Sequence, residues 1–230
     1  MFKNLYENTI LKNPKSIFVV LLIILISFGY YSKDFRLDAS SETLLIEGDP
    51  DLKYLKEINK RYGSKEFLVL TYTPKKGMVT DASINNLLSL KYKIQSLEWV
   101  HSVITLLDIP LLSNSEAPLH ERLESFKTLK DDNVDRLRGF NEILSSPVFR
   151  NFVISEDGKT SGIIVNIKEN QPLKSESRKE IEEYRDKIKK QNHENILEIR
   201  DVIKSYEDIG KIYLGGIPMI ADDMMTFIKK

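Results

Sequence analysis

One uncharged run constrains this chain more than anything else in it. No charged residue occurs between Ser16 and Ser32, and the centre of the run, Ile17 to Ile26, is almost purely aliphatic. A helix of this composition has no polar face to turn toward water, so it must be enclosed on all sides or leave water for lipid. At 1.5 Å per residue the run covers roughly 25 Å, slightly less than a ~30 Å hydrocarbon core. Lys15 and Lys33 can snorkel at its ends, and Tyr30 and Tyr31 suit the membrane interface. Lys3, Lys12 and Lys15 flank the N-terminal side, which by the positive-inside bias places Met1 in the cytoplasm and everything after Lys33 outside. A cleaved signal peptide is the rival reading. It would have a shorter apolar core and a small-x-small exit, whereas Ser27-Phe28-Gly29-Tyr30-Tyr31 offers only Ser27 and Gly29 as small residues. A buried helix of a soluble protein is a third reading, opposed by the lack of any polar face. The expectation is an uncleaved anchor over 16–32.

The other residues do not resemble membrane interior. Charged residues make up 30% of the 230-residue chain, enough for one ordinary domain or two small ones beyond the anchor. Thirty-four basic residues balance thirty-four acidic ones, which leaves no net field to attract nucleic acid. The absence of cysteine removes disulfides, thiolate catalysis and cysteine metal sites together, and fits either a reducing or a periplasmic compartment.

After the anchor, Asp49-Pro50-Asp51 is a helix start, with Asp49 as cap and Pro50 at the first helical position. Leu52, Leu55, Ile58 and Tyr62 follow at helical spacing up to Gly63. Phe67–Tyr72 reads as a buried strand, and Pro74 to Gly77 as a turn. A second helix starts at Thr80 with Ile84, Leu87, Leu90, Ile94 and Leu97 on one face, and Trp99–Leu107 reads as a second strand. Residues 108–146, with Pro110 and Pro118 bracketing a polar stretch and a short helix around Val134, Leu137 and Ile143, read as an insertion. Phe149–Ile154 and Ser161–Ile167 then flank Asp157-Gly158 as a hairpin. Ser177-x-x-Glu180 predicts a capping box opening a long helical region, along which Ile181, Tyr184, Ile188, Ile196, Ile199, Ile203 and Tyr206 form a stripe. The polar Gln191–Asn195 predicts a break in it. Lys211–Leu214 is a last strand, Gly215-Gly216 a turn, and Pro218 opens a final helix. With the insertion set aside, the expected class is α+β with the β-α-β-β-α-β order of a ferredoxin-like, split βαβ domain.

Candidate chemistry is sparse. His101, His120 and His193 are the only histidines, and no two have the i, i+4 spacing of a helical metal pair. His101 falls in a strand and reads as a packed or surface imidazole. Asp131-Asp132 and Asp222-Asp223 are paired carboxylates that a metal or acid–base site could use, but both read as acidic starts of helices, favoured by the dipole. Gly215-Gly216 reads as a strand-to-helix turn before it reads as a phosphate cradle. No nucleophile elbow or phosphate loop is present, so no catalytic, metal or cofactor residue is assigned, substrate-binding residues are left open, and an enzyme is not expected. The tail from Met219 to Phe227 is amphipathic: either a helix end lying on the domain or a lead-in toward the bilayer.

The anchor, followed by Phe35-Arg36-Leu37-Asp38, Glu47-Gly48-Asp49-Pro50-Asp51, a helix ending Asn59-Lys60-Arg61-Tyr62-Gly63 and then a strand, resembles the start of resistance–nodulation–division (RND) exporters. The branch it resembles includes mycobacterial large membrane proteins and hopanoid transporters. Gly215-Gly216-Ile217-Pro218-Met219-Ile220-Ala221-Asp222-Asp223-Met224 resembles the segment before their second membrane helix. The resemblance implies a cytoplasmic N-terminus over 1–15, the first membrane helix over 16–32, an extracytoplasmic porter domain over 33–217, and an amphipathic helix over 218–230. It implies a location in the bacterial inner membrane and proton-driven export of hydrophobic or lipid-like substrates. The implied partners are the remaining membrane helices and a second porter domain, with homo-oligomerisation open. Because the family's proton-relay residues lie on later membrane helices, no residue of 1–230 inherits a coupling role, and the chain is not expected to pump alone. The other reading is a self-standing anchored periplasmic module that binds lipid or a partner protein.

Overall fold

The computed structural model describes residues 14–32, 49–62, 66–112, 126–171, 173 and 177–228. Lys3, Lys12, Lys33, Phe35–Asp38, Gly63, Pro118 and His120, all used above, lie outside the described residues. The chain forms two compact units, residues 1–38 and 39–230.

In the first unit, α1 is a 19-residue helix, Pro14–Ser32, with none of its residues buried. It begins two residues before the uncharged run. Pro14 is tolerated there because the first turn has no intrahelical partner for an N–H. Nineteen residues give about 28 Å, close to the hydrocarbon thickness. Among the described residues it is the only helix long and apolar enough to cross a membrane. Tyr30 and Tyr31 meet edge to face near its end, ring centroids 5.7 Å apart.

The second unit opens with α2, Pro50–Tyr62, where Asp49 Oδ1 accepts the Asp51 N–H at 2.8 Å as the expected cap. Next come β1 (Phe67–Pro74), α3 (Asp81–Gln95) and β2 (Val100–Ile104). Then α4 (Arg136–Ser145) precedes β3 (Ser161–Ile167), α5 (Arg178–Ser205), β4 (Gly210–Gly215) and α6 (Ile217–Ile228). The four strands form one sheet in the order β2-β3-β1-β4, every neighbouring pair antiparallel. The two strands joined by α3 therefore run parallel with β3 between them, and the two joined by α5 run parallel with β1 between them. Alternation sets the faces: Leu68, Leu70 and Tyr72 on β1 and Ile163 and Val165 on β3 are buried. They share a core with Ile84, Leu87, Leu90 and Ile94 of α3 and Ile196, Ile199 and Val202 of α5. Thr80 caps α3 as its position predicts, accepting from Ser83 N at 3.3 Å. Two polar ties hold the helices in place: Tyr206 and Ser89 hydroxyls at 2.8 Å, and Trp99 Nε1 donating to Glu198 at 2.7 Å.

Several expectations need correction. The second strand stops at Ile104 rather than Leu107, because Thr105 and Asp108 close a capping box that turns Leu106–Asp108 into a 3₁₀ helix. Asp108 also receives Lys91 in an ion pair. Phe149–Ile154 is not a strand. Asn151 takes the left-handed conformation (φ 63°), and Val153 N bonds back to Phe149 O at 2.9 Å, so the run folds into turns. Only its end pairs, with Gly162 N donating to Val153 O and Ser155 N to Thr160 O, both 2.9 Å. The Asp157-Gly158 turn is present, with Gly158 at φ 68°. The long helix is continuous through Gln191–Asn195, so no break exists, and Ser177 at its N-cap makes no side-chain capping bond.

The described parts of the 108–146 insertion bond to each other and pack into the core of the domain. Leu111 N donates to Lys127 O at 2.8 Å, and Leu111, Leu129 and Ile143 are buried in the common core. Asp131 closes a turn by accepting from Thr128 N at 2.7 Å, and Asp135 caps α4 by accepting from Arg138 N at 3.1 Å. Arg136 pairs with Asp81 at the start of α3.

Candidate functional site

Among the described residues, a polar constellation lies where α6 packs on α5. Asn192, His193 and Arg200 project from α5 and meet the first half of α6. His193 Nδ1 lies 2.9 and 3.1 Å from the two oxygens of Asp222, whose side chain is only 8% exposed while the imidazole is 44% exposed. Arg200 Nη2 makes a forked contact with Asp223 at 2.8 and 2.9 Å. Asn192 Nδ2 donates to the Pro218 carbonyl at 2.9 Å, satisfying a backbone acceptor in the first turn of α6.

This arrangement overturns the dipole reading of Asp222-Asp223. Both sit in the middle of the 12-residue α6, and each has a cationic or imidazole partner on α5. The polar Gln191–Asn195 segment, which the sequence suggested as a break, contains two of the residues that receive α6. Each half of the junction was visible in the sequence, but only the fold shows that they are partners. Asp131, in contrast, serves a turn ahead of α4, and His101 is a surface residue of β2. Gly216 stands at φ 120°, where the chain passes so close to β1 that an added Cβ would lie 3.0 Å from Phe67 O. The glycine pair thus serves the strand-to-helix turn. Among the described residues no group of three or more His, Cys, Asp or Glu is placed to hold a metal ion.

The chemical effect of the α5–α6 junction is mechanical. Asp222 of α6 faces the domain beside Pro218 and the half-buried Met219, while five of the helix's apolar side chains face outward. Ile217, Ile220, Met224, Phe227 and Ile228 are all exposed, Phe227 at 81%, whereas Pro218 and Asp222 are buried. An ordinary surface helix carries no such apolar stripe on its outer side.

Two further features accompany it. A groove of about 820 Å³ runs between the middle of α5 and the end of β3, lined by Glu66, Trp99, Ile167, Lys168, Lys187 and Gln191 among others. Loss of solvation there holds the Glu66 carboxyl above the usual carboxylate range. The sheet face away from α3 and α5 carries Phe67, Ile104 and Tyr213, each exposed, with Val69 and Ile164 paired between them. Compared with known proteins, the sequence matches no family model and no curated protein.

Proposed function

We propose that this chain is the N-terminal part of an RND-type membrane exporter, supplying its first membrane helix and first porter domain for proton-driven efflux of hydrophobic or lipid-like substrates. The observation that carries the reading is the sheet order. Two βαβ units interleave so that β2-β3-β1-β4 is antiparallel throughout, which supports reading the second unit as a ferredoxin-like, split βαβ porter domain. An apolar helix long enough to span a bilayer precedes it, and an amphipathic helix follows it. In this reading the chain lies in the bacterial inner membrane with the second unit outside the cytoplasm, and later membrane helices carry proton coupling. One anchor cannot rock around a midplane site, so residues 1–230 do not transport by themselves. The groove beside α5 favours a second reading, a membrane-anchored extracytoplasmic module that binds lipid or a partner protein without transport.

Sequencing the coding DNA beyond codon 230 tests the choice. A continuation encoding several hydrophobic helices, in frame or frameshifted, is the expected result. An isolated gene without such a continuation or neighbour defeats the exporter reading. Reporter fusions after Lys33 and Lys230 test the orientation: activity of a reporter that works only in the cytoplasm refutes it.

A further inference from the structure

We infer that α6 lies on a lipid bilayer, with its outward stripe seated at the boundary between headgroups and acyl chains. This rests on the proposed anchoring by α1 but is a separate claim about a different surface. At 100° per residue, Ile217, Ile220, Met224, Phe227 and Ile228 fall within an arc of about 100° on one side of the helix. Exposure follows that arc: Ile217 is 58% exposed and Phe227 81%, while Pro218 and Asp222 on the opposite side are buried. The orientation is enforced. Rolling the stripe inward would break the His193–Asp222 contact, the Arg200–Asp223 fork and the Asn192 bond to Pro218 O.

The choice of occupant follows from size and charge. Residues 217–228 give about 18 Å of amphipathic helix, long enough to lie in a bilayer surface. Five exposed side chains offer on the order of 500 Å², less than the ~800 Å² per partner that a stable protein interface buries. A second copy of the chain is therefore poorly matched to the stripe. Lys229 and Lys230 follow directly in sequence and suit anionic headgroups.

The absence of cysteine from the whole chain makes the test clean. Single substitutions Met224→Cys and Phe227→Cys in the full chain carry a polarity-sensitive fluorophore, with Asp201→Cys on α5 and Ile24→Cys in α1 as references. The labelled proteins are reconstituted into phosphatidylcholine–phosphatidylglycerol vesicles containing lipids with a nitroxide at shallow or deep positions. The Met224 and Phe227 labels are expected to be quenched by the shallow nitroxide at least about threefold more than the Asp201 label. The Ile24 label should respond most to the deep nitroxide. Met224 and Phe227 labels quenched no more than the Asp201 label overturn the inference, whether they then face water or a second copy. If the Ile24 label is still quenched in that event, the anchoring stands and only the role of α6 falls. An unquenched Ile24 label brings down both.

Discussion

Removing His193 should loosen α6 by an amount that the geometry bounds. Asp222 is nearly enclosed, and both its oxygens lie within 3.1 Å of His193 Nδ1. Stripping one partner from a fully buried charged pair costs about 3–5 kcal/mol, because the other charge is left without compensation. Here the imidazole is 44% exposed, so water can reach the carboxylate once the ring is gone. The expected cost of His193→Ala is therefore about 1–2 kcal/mol, between an exposed pair and a buried one. In the second unit this corresponds to a fall in Tm of roughly 3–7 °C. Asp222→Ala should cost a similar amount, and the double variant little more than either single one. Urea unfolding followed by far-ultraviolet circular dichroism on a chain beginning at Ala39 gives the three free energies and hence their coupling. A coupling of at least about 0.5 kcal/mol is the expected result, as for residues in contact. Strictly additive effects would refute the claim that these two side chains hold the helices together.

Other perturbations read different parts of the fold. Tyr72 is fully buried, and among the described residues its hydroxyl makes no hydrogen bond of good geometry, with only Asn86 and Ser83 near it, so Tyr72→Phe should leave stability unchanged or raise it by up to about 1 kcal/mol in the same unfolding assay. Burial also pushes the Tyr72 phenol above its ordinary range. The folded state therefore keeps a proton that the unfolded chain releases, and stability should fall as pH rises past about 10; Tyr72→Phe should blunt that fall in an alkaline titration. Gly210→Ala would place a Cβ 2.5 Å from the Thr73 carbonyl oxygen. Backbone must then shift between β1 and β4, at a cost of more than about 2 kcal/mol by denaturant midpoint. The Ser155 hydroxyl and the Lys159 N–H hold the Asp157 carboxyl below its usual range. Its contribution is present above the unfolded carboxylate range and is lost as pH falls through the lower, folded value. The Lys159 amide should accordingly lose protection, relative to its intrinsic exchange rate, as the pH falls, and Asp157→Asn should flatten that response.

Elements that satisfy themselves locally were legible in the sequence. The Ile84–Leu97 stripe with Thr80 before it, the Asp49-Pro50 start and the Asp157-Gly158 turn each depend on neighbours within a few residues, and each is present. The misreadings involve distant partners or local bonds that override propensity. Phe149–Ile154 has strand composition, but Asn151 turns the chain. Trp99–Leu107 is cut short by a threonine and an aspartate three residues apart. Taken one at a time, Gln191–Asn195 reads as a break and Asp222-Asp223 as a helix start, because nothing local indicates that they meet. The outward stripe of α6 follows from that meeting, since an amphipathic pattern gives the angle between two faces and not which of them faces the core.

The strand order has a consequence for how the polypeptide is made. β1 pairs only with β3 and β4, so Tyr72 must wait for Ser161 and Ile212 to be synthesised before any backbone partner exists. At typical translation speeds of about 5–20 residues per second, the stretch from Tyr72 to Ser161 takes roughly 5–18 seconds. During that interval Leu68 and Leu70, later enclosed on the core side, belong to a strand with two unpaired edges. Helix α3 is local and can form early, covering one side of that strand, whereas the sheet closes late and from both flanks. Any factor that shields a nascent extended segment should therefore matter most for this chain between the emergence of β1 and that of β3.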